Sequence, residues 1–190
     1  ATKTTEDRYK NYLQNTELID HAGAIINNPL GCIEIEPVYK IDTPLLIGKF
    51  AEHFERNEFI IRKKFDYTKL EIIPEGVQYE DITARKIIFA EGHLAVNNPY
   101  FNYLPFLLSK GEVLVFEAKN LSNDYIIGGS TNITPLGNHL FSVGATYAWN
   151  DISLNTTEEK KNELLEKLEK IINCDYKIIS QKAGVRPTVK

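Results

Sequence analysis

The sequence predicts an α+β fold, a mostly antiparallel mixed sheet with two amphipathic helices packed on it. Three observations point there. Short β-rich runs are separated by Pro, Gly and charged turns over much of the chain. A helix start with proline in its first turn stands near residue 43. A capped helical segment at residues 157–172 carries one apolar stripe.

Taken in order, residues 4–13 read as a short polar helix, and AGAIINNPLGCIEIEP (22–37) gives two β runs joined by Asn27-Asn28-Pro29-Leu30-Gly31, a hairpin signal. Asp42 or Thr43 then serves as N-cap with Pro44 at the first helical position, and Leu46, Phe50 and Phe54 recur every fourth residue until about Asn57. FIIRKKF (59–65), KLEIIP (69–74) and GVQYED (76–81) predict an antiparallel meander, followed by a buried strand in RKIIFAEG (85–92). NNPYFNYLPFLLSKGEV (97–113) reads as a packed irregular loop. It leads to further strands in EVLVFEA, DYIIGG, TNIT and HLFSVGATYAW. The last helix carries a capping box of Thr156 and Glu159, an apolar stripe of Leu164, Leu165, Leu168, Ile171 and Ile172, and outward pairs Glu163→Lys167 and Glu166→Lys170. An apolar strand follows at 176–179.

Composition narrows the function. The chain has 190 residues, 43% apolar, and a net charge of −4, the balance of a globular protein with a core of its own. Lysines and arginines are scattered, so no nucleic-acid partner is expected. The longest apolar runs fall far short of the roughly 20 residues that cross a bilayer, and no signal peptide opens the chain, which gives a cytoplasmic expectation. Cys32 and Cys174 read as reduced, buried thiols. The four histidines are isolated, so no metal site is predicted, and neither GxSxG nor a P-loop occurs.

Four stretches together are similar to the FAD-dependent oxidoreductases of the D-amino-acid oxidase and glycine oxidase family. TARKIIFAEG resembles the strand that ends in a small residue and glycine beside the flavin. LPFLLSKGEVL resembles a Pro-x-x-x-x-Arg-Gly-Gln-x-Leu stretch, with Lys110 in place of the arginine. GNHLFSVGATYAWND resembles the Pro-x-x-Gly-x-x-x-x-Gly-x-Thr hairpin, and AGVRPTVK the Gly-Leu-Arg-Pro segment. The order and spacing of all four agree with the family. The strand–GxGxxG–helix that holds the FAD pyrophosphate does not occur in the sequence.

The resemblance implies the central piece of such an enzyme: residues 1–57 and 94–183 as the substrate-binding part, 58–93 and 184–190 as an edge of an incomplete FAD-binding domain. The missing flavin-domain segments of the same chain would be its partners. It implies oxidation of the C–N bond of a small amino acid or N-substituted amino acid, with FAD in the intact protein but not held by this chain alone, which would itself be inactive. Arg186 would clamp the substrate carboxylate through its planar fork, the alternative being a structural arginine paired with a core carboxylate or stacked under Tyr147. Tyr147, alternating with Ala148 and Trp149, would wall the substrate or simply pack. Ala90, Glu91, Gly92 and Gly184 would border the flavin, glycine letting the backbone approach closely; the alternative for Gly92 is an ordinary strand-end glycine. Lys110 and His93 read as solvated side chains. A non-catalytic α+β binding module without flavin, and a flavin oxidase domain acting on tRNA, are the competing functions.

Overall fold

The structure, a computed structural model, describes residues 25–29, 31–149 and 151–190. The helix expected at residues 4–13 lies outside them. The described chain forms two compact units, residues 31–87 and residues 25–29 with 88–190.

In the first unit, α1 (Thr43–Arg56) has Asp42, one of the two expected residues, as N-cap, its Oδ1 accepting from the Leu45 N–H at 3.0 Å, and Pro44 is the second helical residue, not the first. Leu46, Phe50 and Phe54 lie along one side, with no buried residue in the helix. The meander is shifted along the chain. Its strands are β1 (Leu70–Ile73), β2 (Gly76–Tyr79) and β3 (Ile82–Ala84), antiparallel throughout. FIIRKKF, expected as its first strand, forms none, and RKIIFAEG, expected as a buried strand, is irregular with Ile88 89% exposed. Apolar β-branched residues favour a strand only where a partner edge receives their backbone groups. What fixes 59–65 is side-chain contact: Phe65 stacks on Tyr79 at 4.3 Å, and Lys63 Nζ donates to Glu80 at 2.6 Å.

The second unit is a six-stranded antiparallel sheet. Its strands are β4 (Ser109–Glu117), β5 (Ile127–Gly128), β6 (Asn132–Gly137), β7 (Leu140–Gly144), β8 (Ala148–Trp149) and β9 (Lys177–Arg186). The order runs β5-β6-β7-β4-β8, with β9 on the other edge of β4. β7 and β8 therefore share one edge of β4, pairing with its second and first halves, and the kink Gly144–Tyr147 lies between them. Of the expected first hairpin, residues 22–24 and Leu30 lie outside the described residues; of those described, Ile26 bridges Ile172 and Asn27 N donates to Ile171 O at 2.8 Å, so this segment joins the end of the last helix.

Alternation gives β4 two different faces. Leu114 and Phe116 point toward α2 (Glu158–Glu169) and join Ile133, Phe141, Val143, Leu164, Leu168, Ile171 and Ile172 in the core, with Phe116 stacked on Phe141 at 5.6 Å. The pair Glu163–Lys167 forms at 2.7 Å, while no ion pair between Glu166 and Lys170 forms among the described residues.

The polar end of the same face corrects two expectations. The N-cap of α2 is Thr157, whose Oγ1 accepts from Lys160 N at 3.2 Å, so the Thr156–Glu159 box does not form. The carboxylate that a box would take from the third helical residue comes from the sheet instead. Glu112, 1% exposed, accepts from Thr157 N at 3.0 Å and from Gln181 Nε2 at 2.7 Å. Lys110, expected in solvent, is 1% exposed; its Nζ donates to Asp151 at 2.7 Å and stands 3.6 Å from Glu112. It is buried because α2 and the 151–157 segment close over this face, and its charge is retained because two carboxylates surround it.

The hydrogen bond from Lys110, with another from Ser153 N, lowers the Asp151 carboxyl from its ordinary 3.8 to about 2, and the same bond holds Lys110 above its ordinary range. A carboxyl with a depressed folded pKa stabilises the fold above its unfolded pKa and loses that contribution as pH falls through the folded one. Stability should therefore decline between about pH 4 and about pH 2, and Asp151→Asn should flatten that part of the curve. Urea midpoints across this range measure it; an unchanged slope in the variant would mean that the pair adds nothing to stability.

Candidate active-site cleft

The other face of β4 and β9 is open, and it carries the residues singled out from the sequence. The register pairs Ser109 with Arg186, Gly111 with Gly184 and Val113 with Lys182, so these six residues share one face. Arg186 is the last residue of β9, which extends well past the apolar strand expected at 176–179. Ala183 and Gly184 continue the ladder because β4 offers a full-length partner edge.

The arginine side chain crosses the sheet to lie over Gly111. A Cβ there would stand 2.5 Å from Nη2 and 2.7 Å from Nη1, so glycine is required for the guanidinium to rest on the backbone. Tyr147 covers the opposite side, with its ring centroid 4.4 Å from the arginine Cζ. Nη1 donates to the Thr146 carbonyl at 3.5 Å, a long contact, and Thr146 is fixed by Glu112, whose N–H donates to its Oγ1 at 2.9 Å. Trp149 stacks beside Tyr147 with centroids 6.5 Å apart. Of the two structural alternatives for Arg186, stacking with Tyr147 is present, whereas pairing with a core carboxylate is not. No ion pair to Arg186 forms among the described residues.

Beside the guanidinium is a cleft of about 380 Å³, bordered by Gly111, Val113, Ala145, Lys182, Gly184 and Arg186, with no acidic residue in its lining. That volume suits a small molecule. A second cleft of about 500 Å³ lies at the other end of the unit, between Ile26, Pro29, Glu169 and Asn173. Its acid, Glu169, is already bonded to the Tyr176 hydroxyl at 2.9 Å, and it gathers no set of reactive groups.

Ala90, Glu91 and Gly92 lead into a short 3-10 helix, Gly92–Asn97, that packs against β9. Gly92 has φ 58° and open space where a Cβ would begin, and open space also lies above Gly184, so a flat ring can approach the backbone at both. Glu91 is held by Asn98 Nδ2 at 2.7 Å. These residues do not line the cleft; Gly184 does. Missed from the sequence were Lys182 and Gly111 as cleft residues. The signal for Lys182 was its spacing of two from Gly184 and four from Arg186, which puts all three on one strand face once β9 is extended to Arg186. Cys32 and Cys174 form no disulfide among the described residues and are half-buried, not fully buried, and burial raises the Cys174 thiol. Among the described residues no group of His, Cys, Asp and Glu could hold a metal, and no helix is long and apolar enough to cross a membrane.

The fold and cleft define an α+β chain with a half-buried arginine on the open face of an antiparallel sheet. A glycine oxidase from Bacillus cereus ATCC 14579 has this fold in common with it, at 22% sequence identity and a TM-score of 0.52, over 66% of this chain and 36% of that one. A glycine oxidase from Geobacillus kaustophilus aligns over 56% of this chain and 30% of its own, at 16% identity and a TM-score of 0.48. The chain thus spans about a third of the length of these enzymes. No known family profile matches the sequence.

Proposed function

We propose that this chain supplies the substrate-binding part of a flavin-dependent oxidoreductase that oxidises the C–N bond of a small amino acid or N-substituted amino acid. The observation that carries this reading is Arg186: a half-buried guanidinium, braced between Gly111 and Tyr147, that has no carboxylate partner among the described residues and borders a small cleft. A half-buried guanidinium without a counter-ion gains from a ligand that provides one. The fold likeness to a glycine oxidase supports the same reading.

In the proposed division of work, Arg186 binds the substrate carboxylate through its fork and so fixes the position of the α-carbon. Tyr147 holds the guanidinium plane and shields one side of it from water, and the Glu112–Thr146 contacts keep the kink in place beneath. Ala90, Gly92 and Gly184 offer bare backbone to one edge of a flavin, with Glu91 beside them. FAD, when bound, supplies the two-electron acceptor. The pyrophosphate cradle is not among these residues.

The test is anaerobic addition of glycine or sarcosine to the flavin-loaded protein. Loss of the oxidised-flavin absorbance with formation of one equivalent of oxo acid is expected. Flavin that stays oxidised with every small amino acid tried would remove this reading.

A further inference from the structure

The cleft beside Arg186 contains a second cation that the proposed chemistry does not use. Lys182 lies on the same face of β9, four residues before Arg186, and between them Gly184 leaves open space where a side chain would otherwise stand. At about 3.3 Å of rise per residue their Cα atoms are roughly 13 Å apart. Both side chains are long enough to lean toward a ligand placed over Gly184. Neither forms an ion pair among the described residues, and the lining holds no carboxylate. Several other lysines of the described chain pair with a neighbouring acid: Lys110 with Asp151, Lys160 and Lys167 with Glu163, Lys161 with Glu158. In a protein of net charge −4, two unneutralised cations around one small cleft select for negative charge at both ends of the ligand.

We infer that Lys182 is a specificity-determining residue, and that the preferred substrate is an amino acid with a second acidic group: a dicarboxylic amino acid or an N-carboxyalkyl amino acid. The inference rests on the carboxylate role proposed for Arg186. Arg186 holds the α-carboxylate with its planar fork, and Lys182, a point charge on a flexible stem, meets the distal acid. Gly184 keeps the floor between them flat, and Val113 and Ala145 border the ligand's apolar middle.

The experiment measures dissociation constants of glycine, aspartate and iminodiacetate for the 190-residue chain, from the fluorescence of its one tryptophan, Trp149, which stacks on Tyr147. The diacids should bind about tenfold more tightly than glycine at low salt, with the advantage shrinking as ionic strength rises. Lys182→Gln should remove the advantage and leave glycine affinity within about twofold, and Lys182→Arg should restore most of it. Equal affinity for glycine and the diacids, or a preference that survives Lys182→Gln, overturns the role of Lys182 and leaves that of Arg186 intact. If Arg186→Ala binds glycine as well as the wild type does, or glycine and the diacids fail to bind, the carboxylate site itself is wrong and this inference falls with it.

Discussion

Arg186→Ala is expected to weaken binding of a small amino acid by about 2–5 kcal/mol, the usual loss when one partner of a desolvated, hydrogen-bonded charge pair is removed. The structure explains why the effect should be large. The guanidinium already rests on Gly111 and under Tyr147, so little ordering remains when a carboxylate arrives. Arg186→Lys should recover only part of the affinity, because an ammonium offers no planar fork and stacks less well on the tyrosine ring. Gly111→Ala provides a second route to the same loss. Its Cβ would fall 2.5 Å from Nη2 and push the arginine off the sheet, leaving the charge in place but misdirected. Titrations followed by Trp149 fluorescence compare all three; a Gly111→Ala protein with wild-type affinity would show that the arginine's seat is unimportant.

The second large effect concerns the fold. Leu168 is fully buried between α2 and the sheet, in one cluster with Phe116, Phe141 and Leu164. Leu168→Ala should therefore destabilise the protein by about 2–5 kcal/mol, the transfer cost of the lost methyl groups plus that of the cavity left behind. Denaturant unfolding measures it directly. A loss below about 1 kcal/mol would mean that the helix repacks over the gap and that the stripe is not held as described.

The sequence made some elements legible and hid others, for definable reasons. α2 was plain because a stripe at helical spacing has one way to be buried, and Leu164, Leu168, Ile171 and Ile172 all reach the core. α1 was plain because Asp42 and Pro44 are local signals. FIIRKKF and RKIIFAEG misled because their composition favours strands while strand formation depends on a partner edge elsewhere in the chain. Lys110 misled for a related reason: a lysine in a polar loop-like stretch reads as solvated, and only the fold places Asp151 and Glu112 around it. Glu112 was invisible as a helix cap because it lies 45 residues from Thr157. At the site, Arg186 and Tyr147 were recognised as candidates from their motifs, and the structure puts their side chains in contact. Their neighbour Lys182 became visible only when the ladder with β4 showed that β9 runs through Gly184 to Arg186.

The central claim is that Arg186 recognises a carboxylate. The most direct measurement is the affinity of the chain for a small amino acid and for the amine that remains when its carboxylate is removed, glycine against methylamine, in wild type and in Arg186→Ala. Wild type should bind glycine and discriminate strongly against methylamine, and Arg186→Ala should lose the glycine affinity while its methylamine affinity stays where it was. Equal proportional losses for both ligands would contradict it, placing Arg186 among the residues that support the sheet and not among those that bind the acid.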